Sequence, residues 1–466
     1  MKKYEMDMCH GPLFKKIVMF SIPLMLTGVL QLLYNMADVV VVGQYAEDSQ
    51  TSLAAVTSNG ALVSLIVNLF MGLAVGAGVA VAQYYGAGRH EDVQEVVHTS
   101  MLVSVIFGVV IGVFGFFTSR WMLTLMDTPS DVIDQSDLYL KIYFTGLPGM
   151  MVYNFGASIL RSVGDTRRPL YFLTASGLVN VALNLVFVIV FHWDVEGVAT
   201  ATVIAQYISA VLVVLSLCRA DNCCHLSFRK LRIHGSKLWQ ITKIGLPAGI
   251  QGALFSISNV LIQSSVNSFG KLIMAGNGAA ATLEGFVYTC MNTIGQAAMT
   301  FTGQNVGARQ YKRISKICVQ CMLLVSIGGF ILSVLLLWVF AEPLMYLYTP
   351  EADVVAAGTI RLTIFAFTYF LDGAMETMCG MLRGMNCSMT PMITSLLGVC
   401  GFRVVWIYTV FAANHSLRGL YLSYPISWTI TLAAHTVCYF IVHHRLKERM
   451  AAEEAMGDGT LSPAAP

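Results

Sequence analysis

The chain has 466 residues, of which 56% are hydrophobic and only 12% charged, with a net charge of +2. Soluble domains carry about 25% charged residues, so this composition, with a mean hydropathy of +0.68, excludes a soluble enzyme, a nucleic-acid-binding module and a disordered chain. A helix of about 20 residues crosses a hydrocarbon core about 30 Å thick, and the apolar residues present match about twelve crossings.

Met1 to Lys16 is polar and basic, with no small-residue cleavage site after the apolar run that follows, so that run is retained as a span. Span 1 covers about 14–43 and carries Asp38 five residues before Gly43, with Tyr34 one turn earlier on the same face, where it is expected to join Asp38 in a cation- or proton-coupling group. Spans 2, 3 and 4 follow at about 52–83, 95–119 and 136–158; Gly72, Gly76 and Gly78 in span 2 favour close helix contact. Span 5, at about 170–192, places Asn180 and Asn184 one turn apart, and span 6, at about 197–218, opens with Gly197-Val-Ala-Thr200-Ala-Thr202. A basic stretch from Arg219 to Lys243 reads as the connection between halves; its Cys223-Cys224 pair has no zinc-type spacing. The second set of spans falls at about 238–268, 275–304, 314–340, 356–380, 392–413 and 419–442. Glu284 lies alone in span 8, Asp372 and Glu376 share a face of span 10, and Arg403 lies near the middle of span 11. Pro23, Pro148, Pro247 and Pro425 fall inside spans, where each removes a backbone hydrogen bond.

The halves repeat one another. Phe20-Ser-Ile-Pro23 answers Ile244-Gly-Leu-Pro247, Gln83…Gly86-Ala answers Gln304…Gly307-Ala, and Arg161 with Pro169 answers Arg383 with Pro391. Six spans per copy is an even number, so both copies share one orientation and are related by an axis along the membrane normal. The expected fold is an all-α membrane protein of twelve transmembrane helices in two six-helix bundles. Its divisions are an N-terminal lobe at 1–218, a linker at 219–237, a C-terminal lobe at 238–445 and a disordered tail at 446–466. With the N-terminus inside, Arg89, Arg161, Arg229, Arg309, Arg383 and Arg445 fall in inner loops, while outer loops hold few basic residues, Arg361 among them. Acidic residues such as Glu47, Asp48, Asp127 and Asp131 gather outside, so both termini are expected in the cytoplasm and the protein in the cell (inner) membrane.

An ionisable side chain at bilayer depth costs at least about 2.5 kcal/mol, so each one demands a reason. Five fall inside the spans: Asp38, Glu284, Asp372, Glu376 and Arg403. Asp38 has no basic residue within the first six spans away from their ends; it is protonated, binds a cation or faces water. Asn180, Asn184 and Thr202 supply oxygen atoms suited to sodium or to a proton relay, although Asn and Thr also serve as ordinary interhelical bonds. Asp372, Glu376 and Arg403 read either as a buried salt bridge or as a substrate-facing group whose acidity the arginine tunes. Neither His-Glu-x-x-His nor Gly-x-Ser-x-Gly occurs, so a membrane-embedded enzyme is disfavoured.

These marks together resemble the multidrug and toxic compound extrusion (MATE) family over about residues 10–445: Asp38-Val-Val-Val-Val-Gly43, the paired Gln…Gly-Ala span ends, Arg161-Ser-Val-Gly164-Asp165-Thr166, Leu382-Arg383-Gly384 and Asn180-Val-Ala-Leu-Asn184. The resemblance implies two bundles forming a V, alternating access and export driven by inward sodium or proton flow. It assigns Asp38, Asn180, Asn184 and Thr202 to an N-lobe cation site, with sodium on Asp38, Asn180 and Asn184, and Asp372 to a C-lobe carboxylate. Many relatives carry Asp at the place of Asn184, and some carry Glu where this chain has Phe255. No cofactor is expected beyond the coupling ion. The expected cargo is an amphipathic, cationic organic compound, or else a lipid-linked or metabolite substrate of the same superfamily; the expected partners are small molecules and the bilayer, not nucleic acid, and the protein is expected to be monomeric.

Overall fold

The computed structural model describes residues 5–45, 52, 55, 60–126, 128–130 and 132–456; Glu47, Asp48, Asp127 and Asp131 lie outside the described residues. All regular elements among them are helical. Twelve are membrane-length: α1 (Leu13–Tyr45), α2 (Gly60–Gly86), α3 (His90–Leu125), α4 (Ile133–Ser162), α5 (Arg167–Val190), α6 (Val195–Cys218), α7 (Gly235–Asn267), α8 (Lys271–Gly307), α9 (Tyr311–Val339), α10 (Ala352–Thr368 continued as Phe370–Gly384), α11 (Met389–Phe411) and α12 (Leu417–Met456). Each expected span coincides with one of them. Nine of the twelve among the described residues are long and apolar enough to cross a membrane outright, and α10 makes ten once its two bent segments count as one. The remaining two, α4 and α8, have 30 and 37 residues. They are more polar because α4 turns Asn154 and Ser158, and α8 turns Asn292, Gln296 and Thr300, toward the interior. The chain is a multi-pass membrane protein. For brevity, the face carrying Glu5, the α2–α3 loop and the α6–α7 connection is called inner.

The internal repeat is visible in backbone detail. Each half has a stretch of widened i→i+5 turns near the outer end of its fifth helix, at Val186–Val190 and at Ile407–Phe411. Where α4 has Pro148, α10 breaks at Tyr369 and bends by 52°. No proline causes that break. Beside it, the Ser333 hydroxyl of α9 donates to the Ala366 carbonyl at 2.8 Å, a hydrogen bond from outside the helix in its last turn before the break. The break puts Asp372 in the first turn of the new segment, where the positive end of the peptide dipoles favours a carboxylate.

The last helix runs on to Met456, so residues 446–456, expected as disordered tail, are helical; Gly457 onward lies outside the described residues. The α6–α7 connection contains a turn closed by the His225 amide on the Asn222 carbonyl at 3.1 Å and a short tight helix, Phe228–Lys230. Within it the Cys224 thiol is fully buried and hydrogen-bonded to Cys223, which holds the Cys223 thiol below its ordinary value and pushes Cys224 above its own.

The lobes meet along α2, which packs on α7 and α8, and they close at their inner ends. The contact is reciprocal. Gln83 of α2 donates to the Gly384 carbonyl of α10 at 3.0 Å, and Gln304 of α8 donates to the Ser162 carbonyl of α4 at 2.6 Å. Between them backbone touches backbone: a Cβ on Gly86 would collide with the Gln304 carbonyl, and one on Gly307 with the Gln83 carbonyl. Residues 5–12 lie over this seam from the inner side. The Met6 amide donates to the Val163 carbonyl at 3.3 Å in one lobe, while Asn305 and Arg313 of the other donate to the Met8 carbonyl at 3.2 and 3.3 Å. Met8 is fully buried.

This seam predicts that Gly307→Val opens the inner face. Overpacking costs about 1–3 kcal/mol, roughly a five- to 150-fold shift in the closed-to-open ratio. In a variant retaining only Cys9, which is buried beside the Gln304 carbonyl, Gly307→Val should raise the rate of labelling by a membrane-impermeant maleimide by about fivefold or more. An unchanged rate would mean that the seam does not govern closure.

Candidate functional site

Two polar constellations stand out, one in each lobe. In the N-terminal lobe α1 brings Asp38 against α5 and α6. The Asn184 amide donates to Asp38 Oδ1, and the Thr202 hydroxyl donates to Asp38 Oδ2 at 3.4 Å. Asn180 completes the ring, donating to the Thr202 hydroxyl at 3.3 Å and accepting from the Asn184 amide at 3.5 Å. Asn180 and Asn184 are buried, so a carboxylate is held by neutral donors only; among the described residues no ion pair reaches it. Asn184 Oδ1 is buried with no hydrogen-bond partner among the described residues. An orphaned carbonyl oxygen beside a carboxylate is a place where a proton or a small hard cation would satisfy both. The widened turns begin directly after Leu185, an irregularity of the kind that clusters at functional positions.

Tyr34, expected in this cluster, stands apart from it. Its hydroxyl donates to the Thr174 carbonyl at 3.4 Å, and its ring lies on Gly177, where a Cβ would overlap it. Tyr34 therefore anchors α1 on α5 one turn away from the carboxylate. The positions that repeat Asp38 in the C-terminal lobe fall around Ile262, which is buried and apolar; among the described residues the ring is not repeated there.

The second constellation lines a chamber of about 470 Å³ in the outer half of the C-terminal lobe, bounded by Asn259, Gln263, Asn277, Glu284, Tyr288, Arg361, Asp372, Glu376, Arg403 and Tyr424. Glu284 was expected to stand alone and Arg361 to lie in an outer loop. Arg361 is instead a buried residue of α10 that pairs with Glu284 through two parallel bonds of 2.7 and 2.6 Å. Its remaining amino group donates to Asn277 Oδ1 at 2.7 Å, which also accepts from the Tyr421 hydroxyl at 3.0 Å. The expected span 10 already contained position 361, so the signal was there.

Asp372, Glu376 and Arg403 share the chamber without forming a salt bridge among the described residues. Arg403 lies over the Tyr424 ring, 4.0 Å from its centroid, and donates to the Ser427 hydroxyl at 3.2 Å. The two carboxylates are therefore free to meet a ligand. A second chamber, of about 260 Å³, continues inward between the lobes, sharing Asn68, Phe255, Tyr288 and Glu376 with the first. Arg161 and Arg383, expected in inner loops, line this chamber from the last turns of α4 and α10.

The family model described as MatE matches residues 23–186 and 247–409, one block in each half. A curated relative, the probable multidrug resistance protein YoeA of Bacillus subtilis, is 27% identical over 433 residues, covering 90% of this chain and 92% of its own. An FAD transporter of Shewanella oneidensis is 22% identical, covering 96% of this chain and 98% of its own. Among solved structures, the outward-facing conformation of a multidrug resistance MATE family transporter of the MOP superfamily superimposes with a TM-score of 0.86 at 21% identity, covering 96% of this chain and 98% of that one. With a family match in each half and relatives aligned from end to end, the chain belongs to the MatE family of membrane transporters.

Proposed function

We propose that the protein is a secondary antiporter that exports amphipathic organic compounds from the cell, across the cell membrane, in exchange for sodium ions or protons. Residues 1–218 and 238–445 act as the two moving lobes, joined by 219–237, in a monomer with both termini cytoplasmic. The observation that carries this reading is the Asp38 ring: a carboxylate at bilayer depth with no cationic partner among the described residues, beside an orphaned amide oxygen. A proton or sodium ion loads there; Tyr34 fixes the helix that carries Asp38 rather than serving as a ligand. Asp372 and Glu376 offer negative charge to a cationic group of the cargo.

Coupling follows from linkage. The ion and the cargo each bind one arrangement of the lobes better than the other, and each shifts the population by its differential affinity. With the inner seam closed, loading of Asp38 from outside and release of cargo from the chambers are the steps the present arrangement permits. The relative named as an FAD transporter handles a metabolite, and the arginines of the inner chamber favour an alternative reading as an exporter of a metabolite or lipid-linked compound on the same scaffold.

The test is dye efflux from proteoliposomes under separately imposed gradients. Efflux should follow an inward sodium gradient or an inward proton gradient, and should vanish when that gradient is collapsed by its ionophore. Efflux indifferent to both gradients rules out ion-coupled antiport.

A further inference from the structure

Arg161 and Arg383 occupy equivalent positions of the repeat, the penultimate residue of α4 and of the second segment of α10. Both line the inner chamber, one from each lobe. The Nε atom of each is buried with no hydrogen-bond partner among the described residues. Arg383 is steadied by Gln251, whose Oε1 accepts from its Nη2 at 3.0 Å; the Arg161 guanidinium makes no hydrogen bond or ion pair among the described residues. The other lining groups include the neutral donors Asn154, Ser158, Gln296 and Thr300. The only carboxylate that lines the inner chamber, among the described residues, is Glu376, two turns from Arg383 on the same helix.

A guanidinium cannot shed its charge, and enclosing one without a counter-ion is strongly unfavourable. An arginine near a helix end commonly reaches outward to water, yet here the inward route is shut. The residues directly after the arginines, Ser162 and Gly384, are the ones whose carbonyls accept the Gln304 and Gln83 bonds of the seam. The guanidiniums are left facing the chamber, each presenting a donor fork that matches the planar oxygens of a carboxylate or a phosphate.

We propose that Arg161 and Arg383 form an anion site between the lobes, which takes a carboxylate or phosphate group of the exported compound. The cargo is then dipolar. Its acidic group lies between the two arginines, its apolar body rests on Phe20, Leu24, Phe255 and Met299, and a basic group points up to Glu376 and Asp372 where the two chambers join. This rests on the export reading of the same cavity and narrows its cargo from cations to compounds bearing an acidic group.

The test compares equilibrium binding, by fluorescence polarisation on purified full-length protein, of a zwitterionic xanthene dye carrying a carboxylate and of the methyl ester of the same dye. The wild-type protein should bind the acid more tightly. Arg161→Gln and Arg383→Gln should each weaken the acid by about tenfold while changing the ester less than about twofold, and Arg161→Lys should recover part of the loss. Unchanged ester binding certifies the fold of each variant. Inorganic phosphate should displace the acid only weakly, because it lacks the apolar body; displacement as effective as that by excess acid dye assigns the site to a free anion and overturns the cargo assignment. Equal losses for both dyes, no loss for either, or no acid binding by the wild type also overturns it. The same preparations reconstituted for efflux separate the two readings: an acid preference that depends on the arginines, with no gradient-driven efflux, retains the anion site and removes the antiport reading.

Discussion

Asp38→Asn is expected to abolish gradient-driven efflux while leaving a folded protein that still binds cargo. The substitution keeps the size and shape of the side chain, so packing against Asn184 and Thr202 survives. An amide at this position also gains a donor for the orphaned Asn184 Oδ1, and an unsatisfied buried acceptor costs about 1–3 kcal/mol, so the variant should melt no lower than the wild type. What it loses is the ability to exchange a proton or to neutralise a sodium ion, because a neutral amide neither ionises near neutral pH nor supplies a formal charge. Efflux in everted vesicles should fall to the passive leak at every imposed sodium or pH gradient. Normal efflux by this variant removes Asp38 from the coupling mechanism.

The second large effect concerns stability. Arg361→Ala should destabilise the C-terminal lobe by about 3–5 kcal/mol, the usual consequence of leaving one charge of a buried pair without its partner. Glu284 would be stranded among Asn277, Tyr421 and Phe365, and the cation–π contact of the guanidinium with Phe365, centroid 4.9 Å away, would go too. The repeat makes the prediction sharper. The N-terminal lobe has Val63 and Leu140 at the positions corresponding to Glu284 and Arg361, and these two pack in one apolar cluster. The double substitution Glu284→Val with Arg361→Leu should therefore recover most of the stability lost by Arg361→Ala, as replacing a buried pair by apolar residues of suitable volume often does. Thermal unfolding in detergent of Glu284→Val, of Arg361→Leu and of their combination, with Arg361→Ala beside them, measures this cycle. A double variant as unstable as Arg361→Ala alone would show that the network through Asn277 and Gln263, not the charge pair, supports the lobe. A double variant that regains stability but not efflux would place the pair in the transport cycle.

The twelve helices and their pairing into two copies were readable along the chain because bilayer thickness and the repeat leave their marks in local composition. The broken helix shows where such reading stops. Pro148 announces a weak point in α4, whereas the 52° bend at Tyr369 of α10 has no proline; what meets the chain beside it is the hydroxyl of Ser333, which another helix brings in. Tyr34 shows a different limit. Helical spacing correctly places it on the side of α1 that meets α5, but the spacing cannot say that the ring ends on Gly177 rather than beside Asp38.

Composition and internal repetition are enough to mark a twofold-repeated helical membrane protein and to single out Asp38, Asn180, Asn184 and Thr202. Those residues are polar where the bilayer forbids polarity, and a polar group at that depth is conspicuous whatever surrounds it. How the charges are paired depends on helix packing and is not written in the chain order. Arginines near helix ends are ordinary in sequence, since a cation there suits both the helix dipole and the inner membrane surface. Their meaning depends on which way the side chain points and on whether a partner from another helix arrives. Packing gave Arg361 a partner in Glu284. With the seam closed, Arg161 and Arg383 line one chamber between the lobes, and no position-by-position reading of the chain contains that fact.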